Sequence, residues 1–355
     1  MQILSCSTSD HNPIKLDLWA HTNLGPIPFN FSPLWIKEPN FLQIFKESWS
    51  QPVNRSPFYV WEEKLRRVKS ALKSWAKTLP TPAAERKKLQ SQLDAHHLLS
   101  EEAYVSKEIL DKEVQLQQQY HKACLAEEEL WRIKSRCLWL KAEDRNSSFL
   151  HRQAQARKCF NSITEIKEET IKHKDFASIK RAAFLHFKNL YSEEVNATQN
   201  SCLLDGVLPS ISTEMSHHLE AKVNMAEVKN ALFAMDPDKA SGPDGFPAIF
   251  LQTCWHIVEK DLYKMVQKSQ AYQKIGGSTN SSFLALVPKE KGTNSFNRFR
   301  PISLCNIGYK LITKFIANKL KYILPKIIPE NQGGFIHGRQ LVDNFILVQE
   351  AILSS

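Results

Sequence analysis

Lys239-Ala240-Ser241-Gly242-Pro243-Asp244-Gly245 separates two apolar helical stretches, residues 225–235 and 248–273, and its reading decides the fold. Asp, Pro and Gly crowd residues 236–245. Such residues build rigid turns that tolerate left-handed backbone, so a sharp connector is expected after a helix whose start follows Asn224. Downstream, 283–288 and 299–304 are short apolar runs flanking a Gly- and Asn-containing connector, the pattern of an antiparallel hairpin. Residues 309–324 read as a helix with one basic and one apolar face.

Working outward toward the N-terminus, residues 59–79 place Trp61, Leu65, Val68, Leu72, Trp75 and Leu79 at three- and four-residue spacing, an amphipathic helix ended by Pro80 and Pro82. Residues 83–140 lack Pro and Gly and carry a stripe through Leu89, Leu93, Leu110, Val114, Leu125 and Leu130. One helix cannot bury its own stripe, so a helical hairpin or arm is expected, broken near residues 96–100. Residues 175–191 read as a further helix. Residues 21–57, rich in Pro and Asn, read as extended linker with one short helix at 41–49, and 14–19 as an alternating strand. The fold class expected is mostly α with a small β component. The division is 1–20, a 21–57 linker, a 58–200 helical region and a 201–355 α+β region.

Composition is that of ordinary soluble protein, with 42% apolar and 24% charged residues. No run of 18 uncharged apolar residues occurs, and the N-terminus lacks the basic start and apolar core of a signal peptide, so neither membrane nor secretion is expected. Seven scattered cysteines without a Cys-x-x-Cys pair argue against a zinc knuckle or disulfide framework and for a reducing, intracellular compartment, nucleus or cytoplasm. The net charge of +10 is concentrated. Residues 286–340 carry ten Lys/Arg against Glu290 and Glu330, and residues 131–158 carry eight against Glu143 and Asp144. Such blocks beside aromatics suit a phosphate backbone, although a solvated helix surface gives the same pattern.

Four motifs then occur in order: Lys239 to Gly245; Leu286-Val287-Pro288-Lys289; Arg300-Pro301-Ile302-Ser303-Leu304; and Gln332-Gly333-Gly334-Phe335-Ile336-His337-Gly338-Arg339, continued by Asp343-Asn344. Together they resemble the opening, finger half of a reverse transcriptase of the plant long interspersed element (non-LTR retrotransposon) type. Residues 135–151 resemble the segment that precedes the polymerase in such elements, with Glu143 where Gly is usual. Asp144 and His151 there read as a capping acid and a packed or solvent histidine, ahead of metal ligands. Ser9-Asp10-His11-Asn12-Pro13-Ile14 resembles the closing turn of an endonuclease of the exonuclease–endonuclease–phosphatase superfamily, which makes Asp10 and His11 a relic of that site. The departures from the polymerase pattern are Ser241 and His337, each where Pro is common.

The resemblance implies that Lys289 and Arg300 reach the triphosphate of an incoming dNTP, neutralising charge on the leaving pyrophosphate. It further implies that Lys239, Gly242, Asp244, Gly245, Gly338 and Arg339 lie against nucleic acid, with RNA template and DNA as partners. Asp343-Asn344 is expected to cap a last helix over 345–353. In the family two Mg²⁺ ions are held by palm aspartates. This sequence has no Asp-Asp dipeptide and reaches Ser355 where the first palm strand is expected. No metal site or cofactor is therefore expected in the chain, which reads as a polymerase fragment inactive alone. Two readings stand beside it: a non-catalytic nucleic-acid-binding module left from a decayed element, and a helical interaction protein acting through residues 83–140. Oligomeric state has no signature here.

Overall fold

A computed structural model describes residues 2–3, 14–15, 27–102, 107–136, 147–168, 171–192, 211–330 and 332–353. Asp10 and His11, and residues 137–146 of the pre-polymerase segment, lie outside them. The chain divides into two compact units, the smaller formed by residues 1–28, 162–194 and 288–299 and the larger by the remainder.

In the smaller unit, strand β1 (Gln2–Ile3) pairs antiparallel with β2 (Ile14–Lys15), and β3 (Ile166–Glu168) with β4 (Ile171–His173), Ile166 opposite His173. Helix α6 (Phe176–Leu190) starts as expected: the Asp175 carboxylate accepts the Ser178 N–H at 2.8 Å, satisfying an otherwise unpaired first-turn donor. Ile166, Ile179, Ala182, Phe187 and Phe296 are buried. Phe296 stacks on His186 at 4.9 Å, and the Lys167 N–H donates to Asn294 O, tying residues 288–299 to this hairpin and helix. Period-2 patterning is unreadable in three-residue strands, which is why β3 and β4 escape sequence inspection.

The larger unit is built around α2 (Pro57–Ala76), whose stripe Trp61, Leu65, Val68 and Leu72 is buried as the spacing predicts. Against it pack α1 (Phe41–Ser50) and α10 (Trp255–Tyr272). The expected 248–273 helix is in fact two, α9 (Ala248–Thr253) and α10, parted at Cys254. Helix α8 (Met225–Phe233) opens with a reciprocal capping box between Asn224 and Glu227. It packs on α11 (Ile307–Ile327), as does α7 (Thr213–Glu220). Strands β5 (Ser282–Pro288) and β6 (Phe299–Cys305) pair in a two-stranded sheet.

Residues 29–57 are no linker. Phe31, Phe41, Phe45 and Trp49 are buried in the same core as Phe246, Phe250 and Trp255. Phe31 and Phe45 meet Phe250 edge-on at 5.1 and 5.3 Å, and Trp49 meets Trp61 at 5.5 Å. Each such ring contributes about 1.5–3 kcal/mol by burial, with a further ~0.5–1.5 kcal/mol where the edge-to-face geometry is favourable. Asp261 of α10 accepts from both Trp49 Nε1 at 2.9 Å and Lys64 Nζ at 2.7 Å, so the indole and the ammonium are satisfied together.

The expected hairpin is present as α3 (Pro82–Glu102) and α4 (Lys107–Ser135), packed along Leu89, Leu93 and Ala123 and joined by an Arg86–Glu127 ion pair at 2.6 Å. Helix α3 runs on through residues 96–100, where the break is expected, with Leu93 and His96 buried within it. Helix α5 (Ser147–Asn161) follows and packs on α4. Helix α12 (Leu341–Leu353) begins at Leu341, so Asp343 and Asn344 stand inside its first turn and do not cap it from outside. No described helix is long and apolar enough to cross a membrane.

Candidate nucleic-acid interface

The loop after α8 folds back on the start of α11, and its chemistry is spent on that junction. Asn306 separates β6 from α11, where an Asn side chain ordinarily caps its own helix. Here it does not. Asn306 Oδ1 instead accepts the Asp244 N–H at 2.8 Å, while Nδ2 donates to Ser278 O at 2.7 Å and to Ser281 Oγ at 2.9 Å. Asp244 performs the exchange in return: its Oδ2 accepts the Ile307 N–H at 2.8 Å, and Oδ1 the Phe246 N–H at 3.2 Å. A carboxylate 63 residues away thus caps α11, where the partial positive charge of a helix N-terminus favours an anion. Lys310 Nζ closes the junction by donating to Ala240 O at 2.5 Å.

Burial raises the Asp244 pKa, opposed by the two backbone N–H groups and by Lys310 and Lys69. Burial also lowers the Lys310 pKa, opposed by Asp244. Beside this junction opens a cavity of about 230 Å³, walled by Trp61, Leu65 and Phe246 with Lys69, Asp244 and Asn306.

Both glycines of the motif are required by the chain itself. A Cβ on Gly242 would lie 2.4 Å from the Cys305 carbonyl carbon. Gly245 has φ 82°, its Cβ would lie 2.3 Å from Phe29 O, and its own carbonyl accepts the Phe31 N–H at 2.9 Å. Ser241, where the resemblance has Pro, donates its hydroxyl to Asn30 Oδ1 at 2.7 Å. Of the four loop residues expected at nucleic acid, Lys239 is exposed, Asp244 is half-buried, and Gly242 and Gly245 are buried against their own chain.

Lys289 and Arg300 are both exposed. Lys289 Nζ donates to Asn297 O at 2.9 Å and keeps two further donors, while Arg300 stands on β6 next to Phe299.

Both terminal nitrogens of Arg339 are occupied by backbone. Nη1 donates to Pro329 O at 2.6 Å and Gln332 O at 3.1 Å, and Nη2 to Pro325 O at 3.1 Å and Ile328 O at 2.9 Å. Those carbonyls belong to the end of α11 and the turn after it, which have no intrahelical donors left. The guanidinium therefore pins the 332–340 loop to α11. Gly338 has φ 85° and open space where a Cβ would stand.

Sequence reading missed Asn306, Lys310 and Lys69, whose Nζ donates to Pro243 O at 3.2 Å. An Asn between a strand and a helix is a local signal for Asn306; the lysines carry none, because their partners lie far away in sequence. Among the described residues no group of three or more His, Cys, Asp or Glu side chains could hold a metal ion, so these residues do not fit the Mg²⁺ pair that the resemblance implies.

No family model matches the chain. Over 223 residues it is 27% identical to the Transposon TX1 uncharacterized 149 kDa protein of Xenopus laevis, a match covering 62% of this chain and 17% of that protein. The chain is thus similar to one segment of a much longer transposon protein.

Proposed function

We propose that this chain is the finger portion of a reverse transcriptase encoded by a non-LTR retrotransposon, and that it binds single-stranded template and presents cations to the incoming nucleotide. The observation that carries the reading is the junction of Asp244 with Asn306 and Ile307. It ties the first of the four sequence motifs to the residues that directly follow the third, some 60 residues on. The similarity to a transposon protein supports the same origin. Lys289 and Arg300, exposed and on or beside strands, suit electrostatic contact with a polyphosphate, since a cation held on a strand needs little reorganisation. The residues here bind and orient; no strand-extending step is assigned to them.

Anisotropy of labelled single-stranded RNA and DNA, titrated at rising salt, tests the reading. Affinity should fall linearly on a log–log plot, with a slope near −0.7 per phosphate contacted. Photocrosslinking of a dNTP analogue should be lost in Lys289→Ala and Arg300→Ala while strand affinity stays nearly unchanged. Flat salt dependence would remove nucleic acid from the account, and strand affinity lost together with crosslinking would move the two cations to the template.

A further inference from the structure

Phe335 is fully exposed (105%) and holds a left-handed backbone, φ 65°. Both features are costly: an apolar ring gains nothing in water, and a bulky residue at positive φ is strained by about 1–2 kcal/mol. Such strain persists only where the surroundings impose it, and they do so here. Arg339 fastens the loop to the carbonyls of Pro325, Ile328 and Pro329 at and just beyond the end of α11 and to the loop's own Gln332 carbonyl, Gly338 takes φ 85°, and the neighbouring Ile336 is buried as an anchor. The loop is built to hold one aromatic ring out from a fixed base.

The charge around that base selects the occupant. Helix α11 carries Lys310, Lys314, Lys319, Lys321 and Lys326 and no acidic residue. Lys310 and Lys319 are spent on chain carbonyls, Lys319 on those of Leu219 and Ala221. Lys321 and Lys326 are exposed, and Lys326 follows Pro325, whose carbonyl Arg339 holds. Lys326 also lies 3.8 Å above the half-exposed Tyr322 ring. Glu330 is the one acid in the turn that follows. An exposed aromatic ring on a loop tied to the end of a helix that carries exposed cations suits an unpaired base, which the ring can stack while lysines meet the phosphates of the same strand.

We propose that Phe335 is a stacking platform for an unpaired nucleobase of single-stranded nucleic acid, presented by the Arg339 clamp on the end of the lysine-bearing helix α11. The inference rests on the nucleic-acid reading above and names the contact that reads single-strandedness. It also separates two roles: Arg339 positions the loop, and Phe335 touches the ligand.

The test uses the whole chain with an oligouridylate of about 15 nucleotides, long enough for a single-strand site, and a duplex of equal length. Phe335→Ala should weaken single-strand binding roughly five- to hundredfold, leave the duplex almost unaffected and leave the salt slope unchanged, because no phosphate contact is lost. Phe335→Trp should retain or exceed the original affinity. Phe335→Asn, which suits the left-handed backbone, should fail like Ala with a melting temperature that is retained or raised. Unchanged single-strand affinity in Phe335→Ala, with salt-dependent binding intact, overturns the inference alone. Full rescue by Phe335→Leu also overturns it, since an aliphatic contact with a protein partner would then explain the exposure. Loss of all salt-dependent binding in the unsubstituted chain overturns the nucleic-acid reading and this inference with it.

Discussion

The Asp244 carboxylate is more valuable for where its acceptors point than for its charge. Burial raises its pKa despite two N–H donors and two nearby lysines, so the folded state holds the proton more tightly than the unfolded state does. Its contribution to stability is therefore largest in acid, below the ordinary carboxylate range, and is lost as pH rises through the raised value. Asp244→Asn keeps an acceptor and removes the charge. Urea unfolding should show the stability of the unsubstituted protein, relative to Asp244→Asn, falling from about pH 3 to pH 7. Asp244→Ala, which strands two N–H groups, should cost about 1–3 kcal/mol across the range. A difference from Asn that grows with pH would mean that the hydrogen bonds outweigh burial. The sequence marked Asp244 by its setting among Gly and Pro, but its role was illegible because the donor it caps, Ile307, lies 63 residues on.

At the scale of elements, the 332–340 loop shows how a motif residue can serve structure first. Arg339 offers a planar fork, and four carbonyls receive it. A lysine ammonium has the charge without the fork geometry. Arg339→Lys should therefore leave the loop loose, at a cost of about 1.5–3 kcal/mol, and hydrogen exchange over residues 328–340 should accelerate. Weakened strand binding with unaltered exchange would instead return Arg339 to direct phosphate contact. Elements with strong local chemistry were legible: α2 from its stripe and α8 from Asn224, and α6 was read over its span. Breaks without Gly or Pro were not. The interruption at Cys254 arises from which side chains the tertiary core buries, and no local residue announces it.

For the molecule as a whole, the decisive misreading concerns residues 29–57. Six prolines between 21 and 57 signalled a linker, and the signal was right about the backbone of residues 27–32, which is irregular. What it undervalued was Phe29, Phe31, Trp35, Phe41, Phe45 and Trp49, an aromatic density unsuited to solvent. Phe29, Phe31 and Phe45 pack on Phe246 and Phe250, just beyond the Lys239–Gly245 motif, so the motif loop is held from both sides: by Asn306 and by the N-terminal aromatics. Dividing the chain at residue 58 or 201 would cut through this core. A protein beginning at Ser56 should therefore fail to fold cooperatively, losing near-ultraviolet circular dichroism and its salt-dependent strand binding, although every motif from Lys239 to Arg339 is retained. Phe45→Ala in the whole chain should cost about 3–5 kcal/mol, because a ring buried among rings leaves a cavity that rigid neighbours cannot close. Phe335→Ala, an equal change of atoms on an exposed loop, should leave the melt unchanged. If the shortened protein instead melts cooperatively and binds as the whole chain does, residues 29–57 are a dispensable cover, and the core that supports the motifs lies wholly within α2 and the elements after it.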